Sequence, residues 1–410
     1  LVMQRTQKFL LIELLLCLYA VGSSILVLSF PLSKPGRNSA PKPSASAQIA
    51  VEVDSPNWQF TDPKAHVEEH LGRKSLFIQS GFALLKGVDF ENGTLEFDFA
   101  APKVPAFIGA AFRAENSDDH EIVYFRPHKS KLPDAVQYTP SFNGGAPWQI
   151  YSGKGFTSAV EIPRGEWVHV RIEIAGLGGK VFLNNSAEPV LVIEDLKRGY
   201  SHGTVGLWAI AGGGHFSNFS YRVDPVTDRP EKKPPMYDAG ILPQWELSEA
   251  FEASTKNPEH LLSPAEMKAL KWQAVGVEVP GMVVIDRYRH SPGVVPSFGT
   301  LAERTGKGEK RRFVFARTTI YSDRDQVKRL SIGYSDEATL FLNGSPVFSG
   351  RSAYRFRDPG FLGIMDVEND TLYLNLKKGR NELVLTVAEY FGGWGFICRL
   401  DDMQGVKLEN

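Results

Sequence analysis

Short runs of alternating apolar and polar residues, broken by Gly, Asn, Asp and Pro, recur along most of the chain. This is the pattern of half-buried β-strands joined by tight turns. In the first half the clearest runs are 93–99, 121–125, 166–174 and 203–209. With no helical periodicity between them, such spacing predicts a β-sandwich or barrel over 51–223. Residues 224–238 carry Pro225, Pro230, Pro234 and Pro235 among charged side chains, a composition that stiffens a linker rather than feeding a core. The second half repeats the strand pattern at 312–321, 338–344, 371–376 and 381–387. It is preceded by one helix start, in which Ser263 and Glu266 form a capping box with Pro264 at the first helical position.

The N-terminus departs from this pattern. Arg5 and Lys8 precede an apolar run over 9–30, the charge-then-hydrophobe order of an export signal. As a helix this run would span roughly 33 Å, enough for a bilayer crossing, so a signal peptide and a membrane anchor both fit. Ala45, Ser46 and Ala47 have the small-x-small form of a cleavage site, and a cut near Ser23 is equally arguable. The expected organisation is a signal peptide or anchor over 1–30, a flexible tether over 31–50, a sandwich over 51–223, a Pro-rich linker over 224–238 and a second sandwich over 239–410. The fold class is therefore all-β, with two jelly-roll β-sandwich domains. The expected location is extracytoplasmic: secreted, periplasmic or anchored by the N-terminal segment.

Composition narrows the function. With 46 Lys and Arg against 47 Asp and Glu, the net charge of −1 argues against nucleic acid as a partner. Cys17, inside the leader, and Cys398 are the two cysteines, which excludes a disulfide scaffold and Cys-based zinc sites.

Several motifs look catalytic, but their context speaks against it. His66, Glu69 and His70 match H-x-x-E-H, yet the flanks read as an edge strand, whereas zinc chemistry needs both imidazoles on one helical face. Gly199, Ser201 and Gly203 match G-x-S-x-G, but a strand follows where a helix is needed. Glu96 and Asp98 begin the alternation of a glucanase carboxylate cluster, but Ala100 stands where the next same-face carboxylate belongs, so no retaining pair can be assembled there. Asp323, Asp325, Asp336 and Glu337 could offer oxygens to calcium, but they form no D-x-D-x-D-G loop and read equally well as turn carboxylates. No other cofactor is indicated.

The segment 107–151 is densest in groups suited to sugars, since aromatic faces stack on the CH side of a pyranose while Arg, Glu and Gln bond its hydroxyls. The candidate ligand-binding residues are Arg113, Glu121, Tyr124, Arg126, His128, Gln137, Tyr138 and Trp148, with Tyr151 nearby. Parity divides them: Glu121, Val123 and Phe125 point one way, and Ile122, Tyr124, Arg126 and His128 the other, unless a bulge intervenes. A second aromatic cluster, 390–396, lies beside Arg351, Tyr354, Arg355 and Arg357. It reads either as a loop-borne site or as core in which Trp394 and Phe396 are buried.

The run 90–98 (Phe-Glu-Asn-Gly-Thr-Leu-Glu-Phe-Asp), together with 107–113, 121–126, 165–170, 203–208 and 216–219, resembles the concanavalin A-like lectin/glucanase superfamily. Within it the chain looks closest to laminin G-like modules and bacterial 3-keto-disaccharide hydrolase domains. That resemblance implies a carbohydrate partner, and it matches Arg113 and Glu121 to the Arg and Glu those hydrolases carry on a concave sheet. Val123 departs from the hydrolase pattern. The segments 331–337, 340–344 and 376–383 are similar to galactose-binding-domain-like jelly rolls, which implies an accessory module. The expected function is an exported, non-catalytic protein that binds oligosaccharide or polysaccharide and meets the membrane only through its N-terminal segment. The alternatives are a glycoside hydrolase or 3-keto-glycoside-cleaving enzyme using Glu121 with Arg113, and a surface adhesion or scaffolding protein.

Overall fold

Alternation along residues 167–175 sets the architecture of the first half. Val168, Val170, Ile172 and Ile174 turn inward while His169, Arg171 and Glu173 turn outward, giving a strand with one face in a core and one in water. A computed structural model of the chain describes residues 46–226, 229–230, 236–290, 311–389 and 391–408. The leader, Cys17, the cut near Ser23, Ala45 of the other cleavage site, part of the Pro-rich linker and Tyr390 lie outside the described residues. The chain from Ala45 to Asn410 forms one compact unit, and the protein is all-β, built of two antiparallel β-sandwiches.

In the first sandwich a seven-stranded sheet runs in the order Thr157–Ser158, Val136–Ser141, His120–Phe125, Ala106–Ala114, Thr204–Ala211, Gly81–Leu85 and Trp58–Phe60. It faces an eight-stranded sheet ordered Leu191–Ile193, Gly178–Leu183, Trp167–Ala175, Gly93–Ala100, Gly214–Val223, Arg73–Ile78 and His66–His70, with Ile49–Ala50 paired to Gly214–Val223. Phe97, Phe99, Phe112, Phe125 and Phe216 fill the space between them and are fully buried. His66–His70 is an edge strand, not a helix, and a strand follows Gly203, so the H-x-x-E-H and G-x-S-x-G matches are structural.

The second sandwich sets Arg312–Ser322, Gly379–Glu389, Glu337–Leu342 and their neighbours against a four-stranded sheet of Met282–Val284, Gly395–Leu400, Gln326–Ser335 and Asp370–Leu376. Trp394 and Phe396 are fully buried in its core, as closing-strand aromatics normally are. The helix Pro264–Ala269 carries the expected capping box, with the Glu266 amide donating to Ser263 Oγ and the Ser263 amide to Glu266 Oε2. Cys398 is a buried free thiol.

The sandwiches share a small core in which Phe142, Ile150 and Tyr151 pack against Ile241, Met282, Val284, Met365 and Ile397. Gln149 pins this junction. Its amide nitrogen donates to the Gly392 carbonyl at 2.9 Å, its carbonyl accepts from Met365 N at 2.9 Å, and its side chain donates to the Leu362 carbonyl at 2.7 Å while accepting from Ser335 Oγ at 3.3 Å.

Candidate functional site: the outer face of the seven-stranded sheet

Five strands of the seven-stranded sheet bring Gln137, Tyr124, Gly109, Trp208 and Phe82 into one register row, with Thr139, Ile122, Ala111, Gly206 and Leu84 in the next. These residues face away from the main core. The middle of each row is small, and at Gly109 a Cβ would stand 2.8 Å from Tyr124 Cβ and 2.1 Å from the Val123 carbonyl oxygen. The large side chains therefore lean in over a floor of Gly109, Ala111 and Gly206. Tyr124 and Trp208 rings lie 5.5 Å apart at 61°, and Phe82 meets His120 edge-on at 5.0 Å although two strands separate theirs. Contact at that separation requires a strongly curved sheet. Phe107 and Trp208 remain half-buried, so part of each ring is open to a ligand.

A polar network borders the rings. Arg126, only 2% exposed, donates to the Asp134 carbonyl at 2.6 Å, to Tyr124 Oη at 2.8 Å and to Gln137 Oε1. Gln137 in turn donates to the carbonyls of Trp148 and Tyr151 at 2.9 and 2.8 Å. With three hydrogen bonds made and its guanidinium carbon 4.7 Å from the Tyr124 centroid and 5.6 Å from that of Trp148, the buried Arg126 holds aromatic rings in place instead of offering an exposed charge. His128 sits at the border, with Nδ1 3.1 Å from the Ala106 carbonyl and its ring 5.1 Å from Phe107; burial pushes its pKa down. Trp148 is shared with the second sandwich, its ring edge-on to Phe391 at 5.6 Å and to Tyr354 at 6.1 Å.

Three of the expected site residues lie elsewhere. Arg113 adopts φ +49° where the register with Thr204–Ala211 slips, and this bulge turns it off the outer face. Its guanidinium is fully buried and donates to the carbonyls of Glu91, Gly199 and Gly176 at 2.8, 2.7 and 2.6 Å, lacing three loops at one end of the sandwich. Glu121, on the inward parity with Val123 and Phe125, accepts from Arg198 N at 3.0 Å and from the Tyr138 hydroxyl. Burial raises its pKa, with those hydrogen bonds and the Arg113 and Arg198 charges opposing. Tyr138 packs in the main core, and its hydroxyl also accepts from Lys197 N at 2.7 Å. The Arg113 and Glu121 matched by the hydrolase resemblance are thus both fully buried and bonded to separate partners.

The other candidates are likewise engaged. Asp98 pairs with Arg73 at 2.5 Å and His169 at 2.7 Å, Glu337 with Arg311 at 2.9 Å and also with Arg351, and Arg357 with Asp370. Among the described residues no group of three or more His, Cys, Asp or Glu side chains could hold a metal ion. Sequence reasoning missed Phe82, Trp208 and His120. The signal for Trp208 is in the alternation of 203–209, where Val205, Leu207 and Ala209 face the core and leave Gly206 and Trp208 opposite. Cavities of about 490 Å³ beside Ile49 and Tyr221, and about 380 Å³ beside Asn92 and Tyr200, include neither Arg126 nor Trp208, so the site is a face and not one of these pockets.

No protein-family profile matches the chain, and no curated protein does. Among solved structures, the carbohydrate-binding module CBM66 from Bacillus subtilis is 17% identical at TM-score 0.33, covering 40% of this chain and 95% of that one. Lectin II from Ulex europaeus is 16% identical at TM-score 0.32, covering 44% and 99%. A Bacillus subtilis protein of unknown function with a galectin-like fold is 11% identical at TM-score 0.31, covering 43% and 100%.

Proposed function

We propose that the protein binds carbohydrate without cleaving it, on the outer face of the seven-stranded sheet. The observation that carries this reading is the set of half-open rings of Trp208 and Phe107 beside the buried Arg126–Tyr124–Gln137 network. Rigid aromatic surface suits the apolar CH face of a pyranose, and the buried network holds the rings in place for it. Glu121 supports the non-catalytic form of the proposal, because its carboxylate is turned into the core and held there by Tyr138 and Arg198. The partner in this reading is a neutral oligosaccharide or polysaccharide, since Arg126 is buried against Tyr124 and Gln137 and turns no exposed charge to the face. The first half is read as a concanavalin A-like module and the second as an accessory galactose-binding-like one. The leader supports an extracytoplasmic location. Calorimetry against neutral oligosaccharides, with product analysis after long incubation, tests the reading: binding without consumption supports it, and turnover of the ligand refutes it.

A further inference from the structure

On the opposite side of the first sandwich, the hairpin made by His66–His70 and Arg73–Ile78 does not continue in the plane of its sheet. Only Leu76, Phe77 and Ile78 pair with the next strand, Gly214–Val223. From there the tip reaches over the outer face toward strands deeper in the sheet. The His70 ring stacks on His215 with centroids 3.6 Å apart and planes 4° from parallel. Arg73 pairs with Asp98 on Gly93–Ala100 at 2.5 Å, and its guanidinium carbon lies 5.1 Å from the Trp167 ring. Trp167, on Trp167–Ala175, donates its indole N–H to the Leu71 carbonyl at 3.3 Å. The turn is Leu71-Gly72 with φ of +47° and +72°, and Leu71 is an exposed apolar residue.

These contacts differ in how they respond to acid. The Arg73–Asp98 pair and the 3.3 Å Leu71–Trp167 hydrogen bond are partly open to solvent and hold the turn only weakly, whereas the stack brings together two imidazoles that acid can charge. Two neutral imidazoles, or one neutral and one charged, tolerate a 3.6 Å stack; two imidazolium rings at that distance repel strongly. The charged groups around the stack are His66 and Glu68 on the hairpin's first strand, Arg73 and Lys74 on its second, Glu96 and Asp98 on Gly93–Ala100, and His169 on Trp167–Ala175. Glu68 bonds His215 Nε2 at 2.7 Å and lies 3.5 Å from His66, so one carboxylate serves two imidazoles. Asp98 already serves Arg73, His169 and Asn218. Glu96 lies 3.7 Å from His169, and among the described residues no carboxylate forms an ion pair with His70. Burial pushes the His215 pKa down, against the Glu68 hydrogen bond and with the neighbouring His70 adding to the fall.

We propose that this hairpin is an acid-released flap: protonation of both His70 and His215 breaks their stack, lifts the tip off the sheet and bares Trp167. The flap stands apart from the proposed carbohydrate face and does not depend on it.

Hydrogen exchange of the full chain, read by mass spectrometry at pH 7.5 and pH 5 after correction for intrinsic rates, tests the proposal. The expected result is a loss of protection of tenfold or more over 66–75 at the lower pH, with residues 168–174 unchanged. His70→Phe and, separately, His215→Gln should each abolish that pH response, since neither variant can charge the stack twice. Unchanged protection over 66–75 in the parent protein overturns the proposal. So does a pH response that survives in either variant, or a loss spread equally over the whole sandwich.

Discussion

Tyr124 and Trp208 meet above Gly109, their ring centroids 5.5 Å apart, because Gly109 is the register partner of both. Removing a side chain from the middle strand lets rings from the two flanking strands converge, and the polar network of Arg126 and Gln137 borders that convergence. The outer face is thus a small second core left partly open, the rigid apolar surface on which the proposed carbohydrate binding rests.

Arg113 is predicted to serve stability and not ligand binding. Arg113→Met leaves three buried carbonyls without their donor, at a cost on the order of 3 kcal/mol or more. Urea unfolding should show that loss, while calorimetry on the folded fraction should return the parental affinity. A variant of parental stability that has lost the ligand would place Arg113 in the site.

Acid should weaken the first sandwich through His120. Burial, reinforced by the Arg198 charge and opposed by Asp119 and the Ser117 carbonyl, holds this imidazole at a pKa of about 4. A histidine depressed in the folded state contributes stability that is complete above its ordinary value of about 6.5 and is lost as pH falls toward the folded value. The full difference is about 3 kcal/mol. His120→Phe, beside Phe82, should show a shallower loss of stability between pH 6.5 and 4.5 than the parent in denaturant titrations. Parallel curves would refute the assignment.

Asp286 should act in the opposite direction. Burial, with the nearby Glu389 and Asp336 carboxylates, holds its pKa well above the carboxylate range, against the hydrogen bond from Trp394 N at 2.8 Å. A raised carboxyl contributes stability that is complete below the ordinary carboxylate value and is lost as pH rises through the folded one. Asp286→Asn should therefore remove part of the parent's decline in melting temperature toward alkaline pH. A variant that declines as steeply as the parent would contradict this.

Gln149 is expected to couple the two sandwiches. Gln149→Ala removes its side-chain bonds to the part-buried Leu362 carbonyl and to Ser335 Oγ, at about 1–3 kcal/mol. Calorimetric unfolding of the variant should separate into two transitions where the parent shows one. A single transition at the parental temperature would show that the shared core of Phe142, Ile150 and Tyr151 suffices alone.

Much of the architecture is legible in local alternation. The strands of both halves, the capped helix at Ser263 and the opposed parities of Glu121 and Tyr124 follow from period two and from turn chemistry. The site is less legible, because its defining contacts are not local. Trp208 meets Tyr124 only through the register of Thr204–Ala211 on Ala106–Ala114, which no single strand encodes. Arg113 leaves the face through a positive φ at a non-glycine residue, and nothing in Phe112-Arg113-Ala114 announces that bulge. The docking of Gln149 into the second sandwich likewise depends on packing between segments more than two hundred residues apart in sequence.

The central claim is tested most directly by titrating the protein and its Trp208→Ala variant with neutral oligosaccharides in a calorimeter. The account predicts binding by the parent with the sugar recovered intact, and a loss of about 2 kcal/mol, roughly thirtyfold in affinity, in the variant. Equal affinity in the two proteins would contradict it, as would consumption of the sugar by the parent.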